Sequence, residues 1–351
     1  MIDRHLETWL TGMSPDGADR PETVLVASAD APRDARILLQ GTSVPRFGDG
    51  GAPFGAIREL RQAPDGAEPR HSDEFAGRFA PDDDVRFGDG LVIKIRHYGV
   101  ADFEPFDGPT ALVIHDDDDF SAYLRDADRA WHSGSFANYV THPQAVIANL
   151  SALGGSEEYA GPNHRLYLDD DGIVRTSPAG RGLGLPEEGL PTIDARWQRH
   201  NAGSSWPDAC SLDDALPDAD RTAALWERPW MRRYVSVLRA TRQARLQERI
   251  PSRISGFGGR LSPGLADTDV LDSTDAPVIA QFGATFRALD PHCEAWVEID
   301  SDQVRALEML LVGIAATEIP QVAAVLQRLM AHGVARSWCL AMRGTRVPAR
   351  S

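Results

Sequence analysis

The chain has 351 residues, with 36 lysine and arginine residues against 52 aspartate and glutamate residues, and a formal net charge of −16 at pH 7. This length predicts two or three domains rather than one core. The acidic balance disfavours nucleic acid and anionic membrane surfaces as partners, because both repel a negatively charged protein.

Targeting and redox signals favour a soluble, cytoplasmic protein. The first segment, MIDRHLETWLTG, interrupts its apolar residues with charges and so does not predict a signal peptide. No apolar run approaches the roughly 20 residues of a membrane span. Cys210, Cys293 and Cys339 are far apart and form no CxxC pair, which disfavours a disulfide framework or a cysteine-rich zinc site.

The order of the elements predicts an α+β fold, in which residues 1–155 form a mixed α/β domain. Ile2, Leu6 and Trp9 recur at helical spacing and predict a first helix. Four apolar runs predict buried strands: TVLVAS from Thr23, ARILLQG from Ala35, LVIKIR from Leu91 and ALVIH from Ala111.

The remainder of this domain is predicted from residues that interrupt regular structure and from residues that cap helices. Residues 48–90 are dense in Gly, Pro and Asp and predict a loop or a poorly ordered segment. A helix is predicted to start near Asp119. Another is predicted near Thr141, which can cap it, with Val146 and Leu150 on its apolar face.

Residues 156–250 predict a hairpin followed by a helical central section. In HRLYLDDDGIVRTSP, from His164, two strand-like runs flank an Asp-Gly pair that can adopt positive φ. From Asp220 the composition is helical, and Pro229 is expected to divide this stretch into two helices. The second helix carries a basic stripe, which is either a solvated face paired with nearby acids or a docking surface for a partner: Arg232, Arg233, Arg239, Arg242, Arg245 and Arg249.

The last hundred residues predict a linker and a small terminal domain. Residues 251–275 contain PSRISGFGGRLSPG and predict the linker. Residues 276–351 predict three strands, from Val278 to Phe282, from Ala284 to Leu289 and from Ala295 to Ile299. Asp300 and Gln303 then match a capping box at a helix start.

A final helix is predicted from Pro320 to His332, where Gly333 ends it. Trp338 and Leu340 predict a closing strand. The segment IAATEI, between Gly313 and Pro320, leaves little room for a further helix.

Three strands, a helix that opens on an acidic cap, and a final helix that ends at HGV resemble the PqqD-like winged-helix module known as the RiPP recognition element. RiPPs are ribosomally made, post-translationally modified peptides. The chain departs from this module where IAATEI replaces the usual middle helix. The strings SGSFANYVTHPQAVIANLSALGG and DDDGIVRTSPAGRGLG extend the resemblance to the RiPP recognition proteins of daptide pathways.

The resemblance implies a protein without catalytic residues, metal or cofactor. It would bind the leader peptide of a precursor and deliver it to a modifying enzyme, which in daptide pathways is a dehydrogenase-like oxidative decarboxylase. The leader would add as a strand to an exposed sheet edge. The implied peptide-binding residues are Ala295, Trp296, Val297, Glu298 and Ile299 on the third strand, and Gln321, Ala324, Val325 and Arg328 on the last helix.

The string HDDDDF, from His115, leaves an alternative function open. His115 and Asp117 match the HxD part of a facial iron triad, with a third ligand from another histidine, so they predict a cupin-type Fe(II) oxygenase with a C-terminal winged helix. The same aspartates fit a helix start, where carboxylates interact with exposed amides and with the positive end of the helix dipole. The candidate third ligands are His132, His142 and His164.

Overall fold

The computed structural model describes residues 2, 4–13, 23–40, 57–103, 106–154, 161–162, 164–202, 204, 206, 208–266, 276–290, 296–319, 321–336, 338–339 and 342. Its helices are α1 (Arg4–Thr11), α2 (Ala35–Gln40), α3 (Asp117–Ser133), α4 (Leu190–Ala202), α5 (Asp218–Trp226), α6 (Met231–Leu246), α7 (Ser301–Leu311) and α8 (Val322–Ala331). Its strands are β1 (Thr23–Ala27), β2 (Ile57–Gln62), β3 (Glu74–Ala76), β4 (Asp84–Phe87), β5 (Val92–His97), β6 (Thr110–Val113), β7 (Ala145–Ile147), β8 (Arg165–Leu168), β9 (Val174–Arg175), β10 (Arg253–Ile254), β11 (Val278–Phe282), β12 (Thr285–Leu289) and β13 (Trp296–Ile299). The chain is therefore mixed α/β, the class that was predicted for its N-terminal domain.

The chain divides into two units, each built from segments that are separate in sequence. The first unit contains Met1–Tyr123 and Gln144–Glu227, and the second contains Leu124–Pro143 and Arg228–Ser351. The predicted segments, 1–155, 156–250, 251–275 and 276–351, were consecutive. The division differs from them because strand pairing and helix packing join residues that are distant along the chain.

A nine-stranded sheet organises the first unit, in the order β7-β6-β5-β4-β3-β2-β1-β8-β9. Neighbouring strands are parallel except in the pairs β3 with β4, β4 with β5, and β8 with β9. In β1, Val24 and Val26 enter one hydrophobic cluster, whereas Leu25 and Ala27 enter another. Strand β1 is thus buried on both faces, as is usual for strands of parallel sheets.

Two predicted elements of the first unit were assigned the wrong type. The run from Ala35 is helix α2 rather than a strand, because Ala35 and Leu39 are buried four residues apart while Ile37 is 62% exposed. The helix predicted near Thr141 is replaced by β7 and a 3-10 turn, Leu150–Leu153. Pairing with β6 decides this, since it completes the sheet with three residues that are all buried.

The predicted loop at residues 48–90 was also wrong over its described part. It contains β2, β3 and β4. Strand β2 pairs with β1, and β3 lies between β2 and β4 in the nine-stranded sheet. The predicted hairpin is confirmed, because β8 and β9 pair antiparallel around Asp169–Gly172. In that turn Gly172 has a φ of 73°, which glycine adopts without strain.

The second unit contains an antiparallel sheet in the order β10-β11-β12-β13. The three predicted strands are confirmed, and the fourth, β10, comes from the predicted linker. Ser255, Leu261 and Ser262 follow β10 and all donate hydrogen bonds to the carboxylate of Glu308 in α7, which is fully buried. Over residues 253–262 the chain is therefore bound to the unit rather than free as a linker.

Local signals correctly placed α7 and α8 of this unit. The Asp300 carboxylate accepts from the Gln303 amide, and the Gln303 side chain accepts in return from the Asp300 amide, so the capping box is formed. A single 3-10 turn, Ala316–Glu318, stands where a middle helix would lie. Trp338 and Cys339 are helical rather than strand, and Leu340 lies outside the described residues.

The helical section divides at Pro229 as predicted, into α5 and α6. Part of the basic stripe on α6 is structural. The Arg233 guanidinium is buried and donates to the carbonyl oxygens of Ala276 and Pro277, and Arg242 donates to that of Pro143.

Two predictions made from composition can be compared with the described residues. Cys210 and Cys339 are buried free thiols, and Cys293 lies outside the described residues. Burial raises the pKa of the Cys210 thiol to about 12, so it is not a thiolate nucleophile at neutral pH. None of the described helices combines the length and the apolarity needed to cross a membrane.

Substituting Glu308 with alanine is expected to lower the free energy of unfolding by about 3 kcal/mol, because a hydroxyl and two backbone amides lose a charged acceptor. Glu318→Ala, which removes an exposed carboxylate, is the matched control and should change it by less than about 0.5 kcal/mol. Denaturant unfolding of both variants measures the difference. Equal losses would show that the Glu308 contacts do not stabilise the unit.

Candidate functional site

The candidate site is the end strand of the second sheet. Gly283 and Ala284 form a two-residue turn between β11 and β12, and Gly283 has a φ of 59°. Residues that flank such a turn form a hydrogen-bonded pair, and pairs alternate from there along an antiparallel ladder. The backbone amides of Ser252 and Ser255 donate to the carbonyl oxygens of Gln281 and Ile279. The main-chain groups of Gln281 and Ile279 therefore face β10.

The same alternation determines the free edge of β13. Phe286 is paired with Ile299, and Ala288 with Val297. In both pairs the N–H and C=O groups of each residue point toward the other strand of the pair. Trp296 and Glu298 therefore direct theirs away from β12. Within the described residues these outward groups have no backbone partner.

One face of β13 belongs to the core of the second unit. Val297 and Ile299 are buried at 3% and 4% exposure, in the same cluster as Val325 and Leu329 of α8. Gln321, the residue before α8, has a left-handed φ of 65°.

The opposite face of β13 carries aromatic and charged side chains. The rings of Trp296 and Phe282 lie 5.4 Å apart, and the Arg249 guanidinium lies 5.7 Å from the Trp296 ring centre. Arg287 lies over Phe282 and has a nitrogen 3.8 Å from the Glu298 carboxylate. Cation–π contacts of this kind orient the guanidinium groups beside the strand.

The structure separates the predicted peptide-binding residues into three groups. Trp296 and Glu298 present both side chain and backbone at the edge. Val297, Ile299 and Val325 are core residues, whose side chains support the edge from beneath. Gln321, Ala324 and Arg328 are exposed next to Val325, at helical spacing. Ala295 lies outside the described residues.

Sequence reasoning missed Phe282 and Arg249 as neighbours of Trp296. Strand alternation could have found Phe282, since the register places it on the same face as Trp296. No local signal points to Arg249, because it follows α6, nearly fifty residues before β13.

The acidic string after β6 forms a helix start in the first unit. Asp116 caps α3 by accepting from the Asp119 amide at 2.9 Å. The buried Asp119 carboxylate accepts from the amides of Gly99 and His115 and from His97 Nδ1, at 2.8, 3.0 and 2.9 Å. The predicted capping role of these aspartates is thus observed.

Among the described residues, the ligand atoms close enough to share a metal ion belong to His97, Asp116 and Asp119, within 4.8 Å of one another. His115 and Asp117, the predicted HxD pair, are both exposed and are not in this group, nor are the three candidate third ligands. Both oxygens of Asp119 are occupied by protein donors, which is typical of a structural carboxylate. The mainly parallel sheet also differs from the antiparallel jelly roll of a cupin.

A cavity of about 240 Å³ lies in the first unit. Its wall is mainly apolar, with Trp9, Phe79 and Ile95 among the lining residues, and His115 and Asn149 contribute polar groups. This volume is below the roughly 300 Å³ at which ligand sites usually begin. A second cavity in this unit, of about 330 Å³, is lined mainly by aspartate and arginine side chains rather than by the apolar residues typical of ligand pockets. The open strand edge is therefore the better-supported candidate.

No protein-family model, curated protein or solved structure matches the chain. The function must therefore be argued from the geometry of the sites.

Substituting Asp119 with alanine is expected to lower the free energy of unfolding by about 2 to 3 kcal/mol, because three donors lose a buried acceptor. Asp117→Ala, in the same helical turn but exposed, should cost less than about 1 kcal/mol. Denaturant unfolding with and without added Fe²⁺, Mn²⁺ or Zn²⁺ measures both. Metal-dependent stabilisation of the wild type that Asp119→Ala lacks would contradict the structural role and identify a metal centre.

Proposed function

We propose that this chain is a RiPP recognition protein, which binds the leader of a precursor peptide along β13 and delivers it to a modifying enzyme. The observation that carries the proposal is the outward backbone of Trp296 and Glu298 at the end of the second sheet. An extended peptide can pair with such an edge whatever its sequence, because the hydrogen bonds involve only main-chain groups.

The arrangement around β13 supports a PqqD-like winged helix as the recognition module. Three antiparallel strands are followed by a helix with an acidic cap and by α8, as the resemblance implies. Two features differ from that pattern, the additional strand β10 and the single 3-10 turn before α8. Neither occupies the free edge, since β10 pairs with β11 at the other end of the sheet.

The expected affinity follows from opposing terms. Each new backbone hydrogen bond contributes about 1 kcal/mol net, and apolar side chains beside Trp296 add their burial. Ordering a flexible peptide costs several kcal/mol. A dissociation constant in the micromolar range is therefore the natural outcome.

Delivery requires a second surface for the enzyme. The basic stripe of α6 and the first unit are the proposed docking regions. Arg233 is excluded from direct contact because it is buried. In this proposal the protein supplies binding and orientation, and the enzyme supplies the chemistry.

Substituting Glu298 with proline tests the strand edge. Proline removes an outward N–H while sparing the hydrogen bonds to β12, and edge strands tolerate it at such positions. We expect binding of fluorescein-labelled peptides encoded beside this gene, measured by polarisation with the full chain, to weaken at least about tenfold. Glu298→Thr keeps the N–H and removes the carboxylate, and should retain most of the affinity.

The wild-type chain must bind at least one of these peptides, and circular dichroism should show that the proline variant is folded. Equal affinity of the wild type and Glu298→Pro would exclude strand addition at β13. Iron bound stoichiometrically to the purified protein, and lost in His115→Ala, would favour the oxygenase alternative instead.

A further inference from the structure

Building on the proposed function, we infer that the bound peptide has an alternating charge pattern, with acidic residues on the face toward α8 and no acidic residue opposite Glu298. A strand presents alternate side chains to opposite faces of a sheet. A peptide paired with β13 must therefore meet two different electrostatic environments at successive residues.

Arg328 determines the environment on the α8 face. It is the only charged residue of α8, whose sequence is VAAVLQRLMA, and its side chain is exposed. Its Nη1 lies 3.4 Å from Oε1 of Gln303, in the first turn of α7 directly after β13. The guanidinium is thus held near the end of the strand, on the side of Val297 and Ile299.

No ion pair neutralises Arg328 within the described part of the chain. The Gln303 side-chain amide is a neutral acceptor, and the neighbouring Asp300 carboxylate accepts from the Gln303 backbone amide in the capping box. A carboxylate on the peptide could form a charge-assisted, bidentate contact with the guanidinium, which a neutral side chain cannot provide. The α8 face therefore favours Asp or Glu.

On the other face the two nearby guanidiniums lie over aromatic rings, Arg249 over Trp296 and Arg287 over Phe282. Glu298 is the charged residue of β13 itself on this face, so it meets the peptide residue directly opposite it. Its side chain is 63% exposed, and a guanidinium nitrogen of Arg287 lies 3.8 Å from its carboxylate. This is longer than the roughly 2.8 Å of a charge-assisted hydrogen bond. Like charges directly opposite one another destabilise adjacent strands. A peptide carboxylate opposite Glu298 is therefore disfavoured, and a neutral or basic residue fits.

The net charge of −16 does not reverse this local preference. At physiological ionic strength, interactions between exposed charges are largely screened beyond about 8 Å. A peptide carboxylate in direct contact with Arg328 would interact within this distance, whereas acidic residues beyond it contribute little. The overall charge slows encounter with an acidic peptide but does not select its register.

The pattern can be read out with a displayed library of random 14-residue peptides, selected on the full wild-type chain and counter-selected on Glu298→Pro. Among the peptides that this counter-selection removes, we expect Asp or Glu to be enriched at two positions, i and i+2, which face α8. Acidic residues should be depleted at the position between them, which lies opposite Glu298. Selection on Arg328→Glu should replace these acids by Lys or Arg. Peptides selected on the wild type should bind Arg328→Glu about tenfold more weakly.

Arg305→Glu is the matched control, because it makes the same charge change on an exposed residue of α7. It should leave both the selected pattern and the affinities unchanged. Glu298→Gln should remove the depletion of acids at the central position.

The possible failures are distinguishable. If no selected peptide depends on the β13 edge, the proposed function and the inference both fall. Peptides that require the edge but are indifferent to Arg328→Glu would overturn the inference and leave the proposed function intact. Equal effects of Arg328→Glu and Arg305→Glu would indicate a general charge effect and would also overturn the inference.

Discussion

Alternation of backbone hydrogen bonds is the constraint on which the candidate site depends. Each residue of an antiparallel strand directs both of its main-chain groups to one neighbour. The two-residue turn at Gly283 sets which residues of β12 face β13, and this in turn leaves Trp296 and Glu298 facing outward. A register shift of one residue would reverse these faces and expose the core residues Val297 and Ile299. The packing that stabilises the unit therefore also determines which groups a peptide can reach.

Buried carboxylates have the same role in both units. Glu308 binds the segment after β10 to α7. Asp119 binds His97 and Gly99, at and just after the end of β5, and also His115, just before α3. Each accepts from backbone amides, so each satisfies groups that would otherwise be buried without partners. Acidic residues that sequence motifs could associate with metal chemistry are here explained by the folding of irregular segments.

Affinity and selectivity have separate origins in the proposed complex. Main-chain pairing along β13 would supply binding to any extended chain, and this alone would be indiscriminate. In the inferred complex, Arg328 and Glu298 would act on opposite faces of the guest strand and so make its two faces unequal. An acidic protein can in this way prefer a particular arrangement of charge, rather than simply a basic or an acidic partner.

The sequence by itself determined the elements whose signals are local: the hairpin at Asp169–Gly172, the break at Pro229, and the capping box at Asp300. It also placed the three strands that include the candidate edge. Only the tertiary structure showed that residues 35–40 are a helix and that the region from β2 to β4 joins a sheet. The contacts of Asp119, Glu308 and Arg249 could not be read from the sequence either, because their partners come from segments brought close only by folding. Local propensity specifies which conformations are available, whereas long-range pairing and burial select among them.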